Sequence, residues 1–382
     1  MWQPLIVLIG LVALLEAASR HPRLNTLFRW LPIPLWCYMT PMLFTAAGWL
    51  PARAEAYGWV TANVFPVALA LLLLGTDVAS VRRLGSQALL AMGIGAAGIL
   101  CAGPVIGWLL RFVLPPEGWK GIGLLAATWT GGSINMLALR TVLEVPTEAF
   151  APLIVVDALV AYGWMALLIA SKGCEGRLNR WFRAEATIPP VLATGAHPQP
   201  FHASGPWGLA GLCVLGIGLT LACRWAAQGL PRAGLVSSVT GWTVLLVTTA
   251  AVLLSFVPPI RRLGTSGAVV GYPCLYLVLA SLGAQASPGA LLATPVWVGV
   301  GLGMLAGHAL TLAIGGRVAR IPWAVLATAS QANVGGVVSA PLVGAVYHQH
   351  LAPIGLLLAL AGNALGTYLG LAAATVSRWL TG

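Results

Sequence analysis

The sequence predicts an all-α polytopic membrane protein of about twelve transmembrane helices, arranged as two related halves. Three observations predict this class: the composition, the number of apolar segments, and a polar interruption that occurs once in each half. The chain is 59% hydrophobic and 8% charged, and its mean hydropathy is +0.89. A soluble domain has roughly 25% charged residues, so this composition excludes an ordinary soluble protein.

Twelve apolar segments are long enough to cross the ~30 Å hydrocarbon core of a bilayer. They lie at residues 4–19, 31–50, 58–76, 87–113, 119–144, 148–171, 207–229, 238–257, 268–285, 294–316, 322–345 and 350–378. The longest polar stretch, residues 172–206, falls between the sixth and seventh segments, and we interpret it as a linker. It separates a first transmembrane repeat, 1–171, from a second, 207–382.

Matching residues recur in the two halves in the same order and at nearly constant offsets. The first two of the following pairs are 207 residues apart and the last two are 201 apart: Pro51 with Pro258, Pro66 with Pro273, Leu125 with Leu326 and Pro152 with Pro353. Four matches in order indicate a structural repeat. Six segments in each half would make the repeats parallel, and one segment miscounted would make them inverted, so the sequence leaves the topology and the orientation of the termini open.

Each repeat carries a polar interruption with a glycine pair inside an apolar segment. The first reads TGGSINM at 130–136 and the second reads SQANVGG at 330–336. Backbone polar groups inside a bilayer must be satisfied by the protein, so a broken helix is costly there. Paired interrupted helices in the two halves of a membrane protein point to the binding site of a transporter. We therefore predict two discontinuous helices that cross near the bilayer midplane.

The interruptions supply candidate ligands for an ion and for a solute. Hard cations such as Na⁺ prefer oxygen ligands, and the predicted ion ligands are Asp157, Thr130, Ser133, Asn135, Gln331 and Asn363. The N–H groups that a broken helix leaves unpaired favour an anion, and the predicted solute-binding residues are Gly131, Gly132, Ser330, Asn333, Gly335 and Gly336. Small residues also permit close helix packing, which explains the glycines but not the polar residues among them.

Asp157 lies about nine residues from either end of its apolar segment. A carboxylate near the bilayer centre is costly unless it is protonated, paired or bound to a cation. One interpretation is a cation or proton site, and the other is a protonated carboxyl that links two helices by a hydrogen bond. His308 has two similar interpretations, a packed polar residue or a proton relay. We expect Asp77 at the membrane interface and Arg140 to reach toward the head groups.

The net charge of +11 arises from basic residues spread singly over the loops. This distribution is typical of lipid head-group contacts and the positive-inside rule, not of nucleic-acid binding. With the amino terminus inside, 12 of the 20 Lys and Arg residues fall on the inner side, six of them being Lys172, Arg177, Arg180, Arg183, Arg317 and Arg320. The expected partners are a small solute and the lipid bilayer, and a homodimer is left open.

With these motifs the chain resembles the YjcL-type family, a largely uncharacterised group of membrane proteins. The resemblance covers nearly the whole length, and its most specific parts are the two interruptions, the segment around Asp157 and the pattern APxGLLLALxGNALGTYLG at 352–370. That family is distantly similar to sodium/proton antiporters and bile-acid-type sodium symporters. The resemblance implies inverted repeats, a panel domain, and a core domain with crossing broken helices. It also implies that Asp157 takes the place of the ion-binding carboxylate, although Val156 and Asn363 stand where antiporters often carry a second acid and a basic residue.

These observations predict a multi-pass secondary transporter of a bacterial inner membrane. It would use Na⁺ or H⁺ to move a small anionic organic solute, and cation/proton antiport is the alternative. An intramembrane enzyme is a hypothesis of another class, but the sequence shows no HExxH motif, paired aspartates or Ser/His arrangement at suggestive spacing. A channel is a third hypothesis. Two polar breaks and one buried acid fit a closed binding site better than a continuous pore. We expect no cofactor and no metal site other than one for Na⁺.

Overall fold

A computed structural model of the chain describes residues 2–24, 27–28, 31–76, 84–184, 205–232 and 234–381. These residues form α-helices joined by short turns. The first half contains α1 (Gln3–Arg20), α2 (Ile33–Ala46), α3 (Glu55–Leu74), α4 (Ser86–Leu109), α5 (Gly118–Gly131), α6 (Ser133–Val142), α7 (Thr147–Ala170) and α8 (Glu175–Phe182). The second half contains α9 (Pro206–Gln228), α10 (Val239–Ser255), α11 (Pro258–Gly264), α12 (Gly267–Gln285), α13 (Thr294–Val318), α14 (Trp323–Val334), α15 (Gly336–Tyr347) and α16 (Leu351–Thr381).

Each of the twelve apolar segments coincides with a helix or with a consecutive helix pair. Seven helices of the described residues are long and apolar enough to cross a membrane, or eight if α10 and α11, which meet at a bend of 113°, form one span. The polytopic helical class is therefore confirmed. The helices of the pairs α5/α6 and α14/α15 are each too short to cross a membrane alone, because a span needs about 20 residues. The count of about twelve crossings therefore stays a prediction.

The described chain folds into two compact units, and each unit draws on both halves of the sequence. The first unit comprises residues 1–75, 140–158 and 201–295, and the second comprises 76–139, 159–200 and 296–382. Helix α7 contributes its first part to one unit and its second part to the other. The predicted repeats are defined by sequence matches between the two halves of the chain, whereas the two units are defined by which helices pack together. Residues 185–204 of the predicted linker lie outside the described residues, as does Asp77.

Within the first unit, glycines let helices of the two halves approach to backbone contact. A Cβ atom at Gly75 would overlap the carbonyl of Gly264, and one at Gly267 would overlap the carbonyl of Leu71. A Cβ atom at Gly283 would likewise overlap the carbonyl of Tyr38. Close approach through small residues is the usual way in which helices associate inside a membrane.

Within the second unit, the long helix α16 packs along α5 through a row of small residues. A Cβ atom at Gly366 would lie 2.6 Å from Gly131 Cα and 2.9 Å from the Ala127 carbonyl oxygen. One at Gly362 would lie 2.6 Å from the Thr130 carbonyl oxygen. The neighbouring atoms belong to the backbone and cannot move aside cheaply. This packing holds the carboxyl end of α5 in place.

Replacing Gly366 by Ala should therefore lower the thermal stability of the purified protein. The expected loss is about 1–3 kcal/mol, the usual cost of an added methyl group in a packed core. Gly93 in α4 provides a matched control, because a Cβ atom there meets nothing within 4 Å. Thermal unfolding in detergent should show Gly366→Ala destabilised and Gly93→Ala equal to or above the wild type. Equal melting temperatures for the two variants would contradict this packing.

Candidate functional site: two facing helix breaks

The first break lies at Gly132, between α5 and α6. Its backbone has φ +78° and ψ 167°, a conformation that residues with a Cβ atom rarely adopt. The Gly132 N–H still donates to the Thr128 carbonyl at 2.6 Å, and the Gly132 carbonyl accepts from Asn135 N–H at 2.9 Å. Glycine thus ends one helix and begins the next within a single residue, and the backbone groups of the break are partly satisfied locally.

The second break lies at Gly335 and Gly336, between α14 and α15. Gly336 has φ +76°, and Gly335 N–H donates to the Gln331 carbonyl at 2.8 Å. A Cβ atom at Gly335 would overlap the side-chain amide of Gln331 and the hydroxyl of Ser339. The two glycines thus differ in role: Gly336 supplies the backbone angle, and a Cβ atom at Gly335 would displace the Gln331 and Ser339 side chains.

The two breaks lie against one another inside the second unit. A Cβ atom placed at Gly336 would be 3.7 Å from Gly132 Cα, and one placed at Gly132 would be 3.2 Å from Asn363 Oδ1. Asn363 is 9% exposed. The structure thus brings together three predicted site residues, although Gly132 is 204 residues from Gly336 and 231 residues from Asn363 in the sequence. Two interrupted helices and one amide oxygen meet at this point.

Asn135 fixes the first break to α16. Its Nδ2 donates to the Gly131 carbonyl, and its Oδ1 accepts from Thr367 N–H at 2.9 Å and from Thr367 Oγ1 at 2.6 Å. An amide oxygen has two lone pairs, and both are used here. Asn135 therefore acts as a clamp between α5 and α16, which the sequence pattern did not distinguish from an ion ligand. Thr130 Oγ1 donates to the Ala126 carbonyl at 2.7 Å.

Two amide oxygens at the second break are buried and make no hydrogen bond within the described chain. They belong to Gln331, which is 1% exposed, and Asn333, which is 0% exposed. Gln331 Nε2 donates to Ser339 Oγ at 3.0 Å, and Asn333 Nδ2 donates to the Met92 carbonyl at 3.0 Å. The two side chains therefore face different neighbours, α15 and α4. An unpaired buried polar atom costs about 1–3 kcal/mol, and such a cost is typical of a functional site.

A neutral hydrogen-bond chain supports α14 beside this break. His308 Nδ1 is 2.8 Å from the Gly95 carbonyl oxygen, and His308 Nε2 is 2.8 Å from Ser330 Oγ. Because a carbonyl can only accept, Nδ1 carries the proton, and Nε2 then accepts from Ser330. Trp164 Nε1 donates to Ser330 Oγ at 2.8 Å. Ser330 is thus held from two sides, and Trp164 is a member that sequence reasoning missed.

The remaining candidate residues lie on α6 and α7. Ser133 begins α6, and its side chain is half-buried. Asp157 is half-buried in the middle of α7, in the part of that helix that belongs to the first unit. Its predicted role as an ion ligand stays a prediction. Arg140, also in the first unit, donates from Nη2 to Thr147 Oγ1 at 3.2 Å and lies over the ring of Phe150.

The contact between Asn135 and Thr367 should be measurable by a double-mutant cycle. Asn135→Ala leaves the Thr367 hydroxyl and the Gly131 carbonyl without this partner, and we expect a loss of about 1–3 kcal/mol in stability. The double variant Asn135→Ala/Thr367→Val should lose less stability than the sum of the losses in the two single variants, because both changes remove the same contact. Thr375→Ala on the exposed side of α16 is the control, since Thr375 bonds only to its own helix. Strict additivity would contradict the clamp.

The chain matches a family of unknown function and an uncharacterized membrane protein. The model of a protein family of unknown function, DUF819, matches residues 5–380. The Bacillus subtilis (strain 168) protein described as uncharacterized membrane protein YjcL is 25% identical over 352 residues, which cover 86% of each chain. The predicted resemblance to the YjcL-type family is therefore confirmed, while the relation to antiporters and sodium symporters stays a prediction. A match over nearly the whole length establishes that this membrane protein belongs to the DUF819 family.

Proposed function

We propose that the protein is a secondary active transporter that couples Na⁺ or H⁺ to the movement of a small anionic organic solute. The observation that carries this proposal is the contact between the breaks at Gly132 and Gly336, with Asn363 beside them. Interrupted helices in both halves of a chain are typical of transporter binding sites. A structural reason for the breaks alone is weaker, because a continuous helix would satisfy the same backbone groups at lower cost.

The solute and the ion would use different groups at the breaks. The amino end of α15 presents backbone N–H groups and the positive end of a helix dipole, which favour a carboxylate. The unpaired oxygens of Gln331 and Asn333, and the amide of Asn363, are neutral oxygen ligands of the kind that Na⁺ prefers. We also propose Asp157 as the coupling carboxylate, because a carboxyl deep in an apolar helix is favoured there only by a proton, a partner or a cation.

The proposal extends to the arrangement and the location of the protein. We propose that the second unit, which holds both breaks, and the helix α7, which carries Asp157, belong to the transporting core, and that the remaining helices of the first unit are the panel. The half-helices α5/α6 and α14/α15 would each complete one crossing, giving about twelve crossings in two repeats of six. The excess of Lys and Arg on one side supports insertion by the positive-inside rule into the inner membrane of a bacterium.

Asn363→Leu should weaken ion binding while leaving the fold intact. The change removes an amide oxygen that lies against the first break, and the expected loss is about 1–3 kcal/mol of binding free energy, or roughly 5- to 150-fold in affinity. The measurement is thermal stability in nanodiscs during a titration of NaCl against choline chloride, repeated as a pH titration to detect a proton site. Thr375→Leu, at an exposed position of the same helix, is the control. An unchanged response in Asn363→Leu would contradict the assignment.

Asp157→Asn should abolish ion coupling. The substitution keeps the shape of the side chain and removes both its charge and its titration, so proton and cation can no longer compete for it. A thermal-shift screen of metabolites would supply the solute, and proteoliposome uptake would then be measured against Na⁺ and pH gradients. We expect downhill exchange to persist and uphill uptake to be lost. Uphill, ion-driven uptake by Asp157→Asn would show that Asp157 is an interhelical hydrogen-bond donor only.

A further inference from the structure

The second unit contains an apolar cavity of about 400 Å³ that the proposed function does not use. This volume lies in the range of ligand pockets, roughly 300–1,000 Å³. Four aromatic residues contribute to its wall: Trp164, Trp181, Phe182 and Trp323. Leucine and alanine side chains of α7, α8, α13 and α14 complete most of the lining. A cavity with such walls selects an apolar occupant.

The polar side-chain atoms of Ser330, Trp164 and Trp323 in this lining already have partners. Ser330 bonds to His308 and accepts from Trp164. Trp323 Nε1 lies 3.0 Å from Ser171 Oγ and 2.9 Å from Tyr347 Oη. No charged residue lines the cavity within the described part of the chain. An occupant would therefore gain mainly by burying apolar surface, as an alkyl chain does.

The rim of the cavity is formed by the short amphipathic helix α8. Its residues Leu178, Trp181 and Phe182, spaced at i, i+3 and i+4, line the cavity. Its residues Arg177 and Arg180 are exposed. A helix with one apolar face and basic residues on the other lies in the interface plane of a membrane. The mouth of the cavity is thus expected at head-group level.

No ion pair among the described residues neutralises the positive charge of the rim. The guanidinium of Arg317 lies 4.9 Å from the Trp181 ring centroid and donates to the Trp181 carbonyl. The acidic residue of α8, Glu175, is engaged by Lys172 at 2.6 Å. Arg177, Arg180 and Arg317 form none of the ion pairs found among the described residues. Basic pockets between membrane helices bind anionic lipid head groups.

We propose that this cavity binds one acyl chain of an anionic phospholipid, whose phosphate head group is held by Arg177, Arg180 and Arg317. The apolar lining matches the chain, and the basic rim matches the head group. A zwitterionic phospholipid offers the same chain with no net charge, so the arginines distinguish the two. Ser330 lines the cavity and lies five residues before Gly335 of the second break. The lipid would therefore brace α14 at the point where the proposed transport site begins.

Native mass spectrometry of the full chain in detergent, with added phosphatidylglycerol or phosphatidylcholine of identical acyl chains, tests the proposal. We expect one phosphatidylglycerol to be retained. Arg180→Gln and Arg317→Gln should each weaken that binding about fivefold, the effect expected for one basic residue near an anionic lipid surface. Arg378→Gln on α16 is the control. Equal retention of both lipids by the wild type would overturn the head-group assignment.

Filling the cavity tests the acyl-chain assignment. Ala313→Trp places an indole in the cavity, whereas Ile314→Trp, at the neighbouring 56% exposed position, does not. We expect the first variant to lose the retained phosphatidylglycerol and the second to keep it. If Ala313→Trp fails to fold, the quenching of tryptophan fluorescence by dibromo-phosphatidylglycerol is compared between the wild type and Trp164→Phe. The quenched fraction of the fluorescence should be lower in the variant, because Trp164 lines the cavity. Retention by folded Ala313→Trp, unchanged quenching in Trp164→Phe, or tighter retention of oleate than of phosphatidylglycerol would overturn the proposal.

Discussion

The structure depends on one constraint: a backbone that leaves the helical path inside a bilayer must be satisfied by the protein itself. Gly132 and Gly336 meet this constraint together. Both have positive φ angles, and they lie so close that a Cβ atom at Gly336 would already contact Gly132. Each break therefore needs glycine for its own backbone angle, and the two glycines lie within van der Waals reach of one another. The small-residue row of α16 follows from the same requirement, because α5 must come close to α16 for its end to be held.

The polar side chains around the breaks serve two purposes. Asn135 and Thr367 satisfy one another and join two helices, and Ser330 is fixed between His308 and Trp164. These contacts make the surroundings of the breaks rigid. The side-chain amide oxygens of Gln331 and Asn333, by contrast, are buried and accept no hydrogen bond from the described residues. A rigid frame with a few unpaired oxygens is the arrangement that a binding site for a desolvated ion requires, because the ion then replaces water ligands without reorganising the protein.

Much of the helical framework could be predicted from the sequence. Apolar length alone placed the helices, since any helix of this length and composition is more stable in lipid than in water. The breaks could also be predicted, because glycine pairs flanked by Ser, Asn and Gln are unfavourable in a continuous apolar helix. The partners of each side chain could not. Asn135 and Asn333 look equivalent in the sequence, but the first is saturated by a residue 232 positions away and the second is not.

The grouping of helices into two units was also not predictable from the repeats, because a relation along the chain does not specify which surfaces pack. Each unit takes helices from both halves. The helices α3 and α12, which carry the matched residues Pro66 and Pro273, belong to the same unit. The polar residue Ser330 was predicted as a solute ligand from its position in SQANVGG. Its contact with His308 is itself fixed by Gly95 of α4, which lies 213 residues before His308 in the sequence.

The depth of the two breaks in the bilayer tests the central claim most directly. Single spin labels at Ser133 and Val337, each next to a break, would be introduced into a protein whose six cysteines are replaced, and power saturation with oxygen and a nickel chelate would give their depths. A transport site at two crossing half-helices predicts that both labels lie near the bilayer midplane, and that a protein labelled at both positions gives a short label-to-label distance by EPR. A label at head-group depth at either position would contradict the crossing and, with it, the proposed transport site.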